Sequence, residues 1–181
     1  MFEKFYEQEL FQLIVQYGLE YWQVFFALLL AALLFAGILG LFRRREPLVV
    51  FDGSNIMYWN NEMPDLRTVR SAVEVARAKG YAPIVWFDAN VGYLVSNGYL
   101  GPVRLARVLG LPAKHVMVSP SGTPADPLIL RMAQRRKALI VTNDRYRDWQ
   151  EAFPILRQGN VLVRGYWARG RVQLKDLPTL R

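Results

Sequence analysis

The sequence predicts an α/β domain of three layers, with a mostly parallel sheet and a C-terminal hairpin, preceded by one transmembrane helix. Three observations carry this reading. Short, continuous apolar runs alternate with helical patterns, the mark of parallel strands covered on both faces. Two β-rich runs near the C-terminus flank a turn at Ala168-Arg169-Gly170. From Tyr21 to Phe42 there are 22 residues without a charge, enough helix at 1.5 Å per residue to span the roughly 30 Å of a bilayer core.

Taken in order, the uncharged run lies between Glu20 and the triple Arg43-Arg44-Arg45. A buried core helix would show polar periodicity, and a cleaved signal peptide would carry a shorter apolar stretch and a basic rather than acidic leading segment. The run is therefore read as a retained anchor. Residues 1–20 hold Glu3, Glu7, Glu9 and Glu20 against Lys4 alone, so the positive-inside rule places the N-terminus outside and the C-terminal part in the cytoplasm at the cell membrane. Apolar residues at helical spacing within 1–20 either lie on the membrane surface or extend the anchor.

Beyond the anchor, Leu48–Phe51, Ile84–Phe87, Val116–Val118 and Ala138–Thr142 read as four strands. Helices are expected at Asp65–Lys79, near Val103–Leu109 and at Pro124–Lys137, the last with Thr123 as cap. The hairpin is assigned to Val161–Val163 and Arg171–Leu174.

Composition narrows the chemistry. The 181 residues contain no Cys and one His, which removes thiol nucleophiles, cysteine-bound zinc, iron–sulfur clusters and histidine-rich metal sites. Any metal must sit on oxygen. Residues 43–181 hold 22 of the 23 basic residues and 11 of the 15 acids, a net +11 that points to a polyanionic partner, either nucleic acid or an anionic lipid surface. No Gly-x-x-x-x-Gly-Lys loop is present, and no Gly-x-Gly-x-x-Gly turn follows the first strand. His115 lacks an evident Ser partner and reads as a structural or surface residue rather than a catalytic base.

The acids carry the functional signal. Asp52, Asp88 and Asp144 follow the first, second and fourth strands, and Asp126 lies in the first turn of the helix before the fourth strand. Ligands of open parallel sheets bind at the carboxyl ends of the strands. Asp148 follows Asp144 by four residues, one helical turn if the segment is helical. Any one of these acids is as well explained by a turn or a cap. Together they need a neutralising cation, and an all-oxygen set favours Mg²⁺ or Mn²⁺ held by Asp52, Asp126 and Asp144.

Val49-Val50-Phe51-Asp52-Gly53-Ser54-Asn55, then Ala125-Asp126 opening a helix, then Ile140 through Trp149 with Asn143-Asp144-Arg145-Tyr146-Arg147-Asp148, closely resemble the NYN ribonuclease domain of the Regnase type, in the PIN-like nuclease superfamily. The resemblance covers about residues 47–178 and implies a PIN-like, Rossmannoid fold. The domain plan is then an extracytoplasmic segment 1–20, a membrane helix 21–42, a basic juxtamembrane linker 43–46 and the NYN domain 47–178. The implied activity is Mg²⁺-dependent endonucleolytic hydrolysis of single-stranded or loop RNA. Asp52, Asp126, Asp144 and Asp148 would form the catalytic cluster, with Asn55 beside the scissile phosphate. Ser54, Asn55, Asp88, Asn143, Arg145 and Arg147 make up the expected substrate-contacting set, and Trp59, Tyr93 and Tyr99 are candidate stacking rings.

Two departures stand out. Ala125 occupies a position that is often acidic in the family, and the Cys-rich zinc finger that follows the domain in eukaryotic relatives is ruled out by composition. A catalytically weakened, membrane-tethered RNA-binding or protein-interaction module is therefore the alternative, alongside a nuclease acting on DNA. Expected partners are RNA and the membrane, with a homodimer left open.

Overall fold

The computed structural model describes residues 2–42 and 46–180, which form two compact units, 1–45 and 46–181. The basic stretch Arg43–Arg45 lies outside the described residues.

The first unit is one continuous helix, α1 (Phe2–Phe42), so the amphipathic leader extends the apolar run. Within Tyr6–Gly37 it is long and apolar enough to cross a membrane, and none of its described side chains is buried.

The second unit is built on a five-stranded parallel sheet in the order β3-β2-β1-β4-β5. The strands are β1 (Leu48–Asp52), β2 (Ala82–Phe87), β3 (Val116–Val118), β4 (Leu139–Val141) and β5 (Leu162–Val163). Between β1 and β2 come the one-turn α2 (Gly53–Ile56) and α3 (Leu66–Ala78); between β2 and β3, α4 (Val91–Val95) and α5 (Pro102–Leu109); before β4, α6 (Asp126–Arg136).

Side-chain alternation along β1 divides the core in two. Val49 and Phe51 join the cluster of α3 and α5, which includes Val69, Val73, Leu105 and Leu109. Val50 joins the opposite cluster, with Ile129, Leu130 and Ala133 of α6 and with Tyr146. By the same period of two, Asp52 shares the face of Val50. That places its carboxylate beside Tyr146.

Local chemistry sets the helix ends. Asp65 caps α3 by accepting from the Arg67 N–H at 2.8 Å, and Gly110 closes α5 in the left-handed conformation. α6 begins two residues later than its sequence pattern suggests, because the Ala125 N–H is given to the Asp88 carboxylate and Asp126-Pro127 fill the first turn. α4 arises inside a Gly- and Asn-rich stretch that reads as loop.

The C-terminal pairing also differs from the sequence reading. Val161–Val163 does not join a hairpin: Ile140 and Thr142 donate their N–H groups to Val161 and Val163, making β5 a parallel edge strand with Val161 and Val163 buried. The hairpin is β6 (Gly165–Ala168) with β7 (Arg171–Leu174), a separate antiparallel ribbon turning at Arg169 and Gly170, both at positive φ, with β7 packed on α3.

Candidate active site at the carboxyl edge of the sheet

β1, β2 and β4 run parallel, so the residues at and just beyond their carboxyl ends emerge on one edge: Asp52, Asp88 and the Thr142-Asn143-Asp144 segment. The first turn of α6 adds Asp126 to the same edge.

Asp52 is the most deeply set, at 5% exposure. Its Oδ1 accepts from the Asn55 N–H at 3.0 Å, and its Oδ2 accepts from the Thr142 hydroxyl and the Tyr146 hydroxyl, each at 3.0 Å. Gly53 must be glycine, since a Cβ there would lie 2.5 Å from the buried Phe87 ring. Burial raises the Asp52 pKa from 3.8 to about 6, against the lowering effect of those hydrogen bonds, with repulsion from Asp126 adding to the rise. Burial likewise raises Asp126, followed by the charges of Asp144 and Asp88 and offset by a hydrogen bond from the Trp149 side chain. Tyr146 is pushed up by burial first and then by Asp52, so it stays a neutral donor.

The four acids are thus electrostatically coupled. Among the described residues, the only ion pairs are Arg67–Asp65 and Arg70–Glu74, so no Lys or Arg side chain neutralises them.

A three-carboxylate cage, however, is not assembled: among the described residues no group of three Asp, Glu or His is placed to hold one ion. The reason is local. Asp52 is buried and held by three donors, while Asp144 is exposed with its Oδ1 taken by the Tyr146 N–H at 2.7 Å. Mg²⁺ is commonly held by one or two carboxylates and completes its shell with water and substrate phosphate. The uncompensated carboxylates suit that mode of binding.

Asp148 does not share a helical face with Asp144. Tyr146 between them is left-handed (φ 47, ψ 43), which breaks the helical spacing and turns the phenol inward to Asp52. Asp148 lies exposed in the short 3-10 turn Arg147–Trp149, and the charges acting on Asp126 are those of Asp144 and Asp88.

Several expected substrate contacts are occupied within the protein. The Ser54 hydroxyl accepts from the Asp88 N–H at 2.8 Å, and Asp88 Oδ1 accepts from the Ala125 N–H at 3.0 Å. Asn55 Oδ1 accepts from the Trp59 indole and from the Asn143 N–H, both at 2.9 Å. The Asn143 side chain donates to the Gly165 carbonyl at 2.8 Å and accepts from its N–H at 3.2 Å, clasping the hairpin to the end of β4. Trp59 lies under Gly165 as scaffold, whereas Tyr93, Tyr99, Arg145 and Arg147 are exposed. His115 meets the Pro83 carbonyl at 3.0 Å, a structural contact. Thr142, Tyr146 and Trp149 were not singled out by sequence reasoning. Their available signal is a Thr ending an apolar strand, one aromatic inside the Asn-Asp-x-Tyr-Arg-Asp motif and another directly after it.

Comparison with known proteins agrees with this architecture. Two structures of the nuclear protein-only RNase P 2 (PRORP2) of Arabidopsis thaliana share the fold. One aligns at TM-score 0.56 with 21% identity over 74% of this chain and 30% of that chain, the other at 0.55 with 20% over 87% and 35%. This chain thus spans about a third of PRORP2. The PIN domain endonuclease Utp24 aligns at 0.36, with 16% identity over 76% of this chain and 98% of that one. No curated protein sequence matches. Residues 45–178 match the model of the Zc3h12a-like ribonuclease NYN domain, about three quarters of the sequence. The chain belongs to the Zc3h12a-like ribonuclease NYN domain family.

Proposed function

We propose that this protein is a membrane-anchored endoribonuclease that hydrolyses RNA phosphodiester bonds at the edge occupied by Asp52, Asp88, Asp126 and Asp144, with Mg²⁺ or Mn²⁺. The observation that carries this reading is a buried carboxylate, Asp52, coupled to Asp126, which is coupled in turn to Asp144 and Asp88, with no ion pair to balance them among the described residues, in a domain of a ribonuclease family. A divalent cation there would supply charge neutralisation for the phosphodiester and acidify a water molecule. Asp52, oriented by Asn55, Thr142 and Tyr146, would be the fixed anchor for it, with Asp126 and Asp144 completing the negative field. Asp148, on its exposed turn, would act on water or substrate from the periphery. α1 would hold the domain at the inner face of the membrane, with its N-terminus outside.

The test uses the full chain in neutral detergent with labelled single-stranded RNA, duplex RNA and DNA, in Mg²⁺, Mn²⁺ or EDTA. Metal-dependent endonucleolytic products from single-stranded RNA are expected, and Asp52→Asn and Asp144→Asn should each abolish them while the thermal melt stays cooperative. Undiminished cleavage by both variants sinks the proposal. A non-cleaving RNA-binding module is the second reading, favoured by Ala125, which is 1% exposed where relatives often place an acid. Intact RNA affinity with no Mn²⁺ binding would select it. Because the chain has no Cys, single cysteines introduced near either end of α1 report orientation by membrane-impermeant labelling.

A further inference from the structure

β4 and β5 are parallel neighbours, so the segments that follow them, Asn143-Asp144-Arg145 and Arg164-Gly165-Tyr166, leave the sheet side by side. The hairpin returns Lys175 to the same place, where its N–H donates to the Arg164 carbonyl at 2.8 Å. Together these segments line a groove of about 540 Å³ formed by Asn143, Arg145, Arg164, Gly165, Tyr166 and Lys175. Three of its six lining residues are cationic and none is acidic.

How these cations are held matters more than their number. Arg164 Nη1 donates to the Asp144 carbonyl at 2.8 Å and to the Thr142 carbonyl at 3.4 Å. Neutral carbonyls fix the guanidinium without cancelling its charge, and they belong to the segment that carries Asp144. Lys175 Nζ sits 5.3 Å from the centroid of the Tyr166 ring, a cation–π contact that also leaves its charge intact. Arg145 is exposed, and neither of the two ion pairs among the described residues involves any of the three. An uncompensated trio with two guanidinium forks, of which Arg164 and Lys175 are held in place, suits a phosphodiester.

We propose that this groove is a subsite for a phosphodiester of single-stranded RNA outside the scissile position, which would lead the strand from the hairpin across Asn143 to the acid edge. The choice of RNA over another polyanion rests on the nuclease reading above; the groove itself does not. Tyr166, 47% exposed, offers a ring for the adjoining sugar or base. The strand path thus depends on Arg164, Tyr166 and Lys175, which lie outside the sequence motifs of the acid site.

The test is equilibrium binding of a fluorescent single-stranded oligouridylate to the full chain in neutral detergent and EDTA, across a salt series. Each phosphate contact on a single strand contributes about 0.7 to the slope of log affinity against log salt. The double variant Arg145→Gln/Lys175→Gln should flatten the slope by about 1.4 and weaken binding roughly tenfold or more at low salt. Arg145→Lys/Lys175→Arg should keep the slope, and both double variants should melt as wild type. An unchanged slope in the Gln variant overturns the subsite, even where wild-type protein cleaves RNA in Mg²⁺. A flattened slope with no wild-type cleavage upholds the subsite and removes the nuclease reading instead. A Gln variant that binds RNA as wild type but loses the wild-type preference for phosphatidylserine over phosphatidylcholine vesicles assigns the groove to lipid headgroups and overturns the subsite too.

Discussion

The Tyr146 hydroxyl donates to Asp52 Oδ2 at 3.0 Å across 94 residues of sequence, and the phenol that makes this contact is itself 1% exposed. A left-handed backbone at Tyr146 is what brings it there. Non-glycine residues avoid that conformation, so the local cost is offset by burying the ring and satisfying the carboxylate. Tyr146→Phe keeps the ring and removes one donor. Its expected cost is about 1.5–3 kcal/mol of stability, the usual worth of a hydrogen bond to a charged group. A less firmly oriented Asp52 should lower the rate of RNA cleavage roughly tenfold, about 1.4 kcal/mol of barrier, with RNA affinity in EDTA unchanged. Equal loss of affinity and rate would show that Tyr146 supports the fold alone.

Asp52 also sets a pH dependence. Its folded pKa of about 6 exceeds the ordinary 3.8, so between those values the folded state holds a proton that the unfolded state has released. This contribution is fully present below pH 3.8 and lost as pH rises through about 6, on the order of 3 kcal/mol at roughly 1.4 kcal/mol per pH unit. The raised pKa of Asp126 acts in the same direction. Melting temperature in EDTA should therefore fall from pH 5 to pH 7, and Asp52→Asn should fall less. Mg²⁺ at pH 7 should restore more stability to wild type than to the variant. A melting temperature that climbs through this window would contradict the burial of Asp52.

How legible these features were depended on how local their causes are. β3 is legible to the residue, because a strand buried in a parallel sheet reads as an uninterrupted apolar run, as Val116–Val118 does. The acids at strand ends were legible for the same reason, since their places follow from the strands. The partner of Val161–Val163 was not, because nothing local decides whether such a run pairs with Arg171–Leu174 or with β4. Thr142 and Tyr146 lie 90 and 94 residues from Asp52, and neither separation leaves a trace in periodicity. The four-residue interval from Asp144 to Asp148 suggested a helical face, but the demand for a buried phenol at Tyr146 prevailed over local propensity. The cationic groove was illegible because three separate connections supply it.

The hairpin is coupled to the site through a glycine. A Cβ at Gly165 would come within 2.2 Å of the Trp59 ring and 3.0 Å of the Gln173 carbonyl, and the same residue is clasped by the Asn143 side chain. Gly165→Ala must push the hairpin or Trp59 aside, at a cost of about 1–3 kcal/mol. Trp59 in turn donates to Asn55, so the displacement reaches the segment after Asp52. A lower melting temperature together with reduced RNA cleavage is expected. Wild-type values of both would place the hairpin outside the site's support.

Asp88 separates capping from charge, because its two roles respond differently to substitution. Its Oδ1 accepts the Ala125 N–H at the start of α6, and its charge raises the pKa of Asp126. Asp88→Asn retains an acceptor oxygen and removes the repulsion. In EDTA at pH 7 it should gain a few tenths of a kcal/mol, the scale of one like-charge neighbour at a partly solvated edge. Asp88→Ala removes the acceptor too and should lose about 1 kcal/mol, the usual worth of a capping side chain. The two variants should therefore move the melting temperature in opposite directions, although each deletes the same charge. Cleavage supplies the second readout: with its Oδ1 committed to Ala125, Asp88 is expected to act on α6 rather than on substrate, so Asp88→Asn should cleave within about threefold of wild type, under 1 kcal/mol of barrier. A loss as deep as that expected of Asp52→Asn would instead make the Asp88 carboxylate part of the reacting centre.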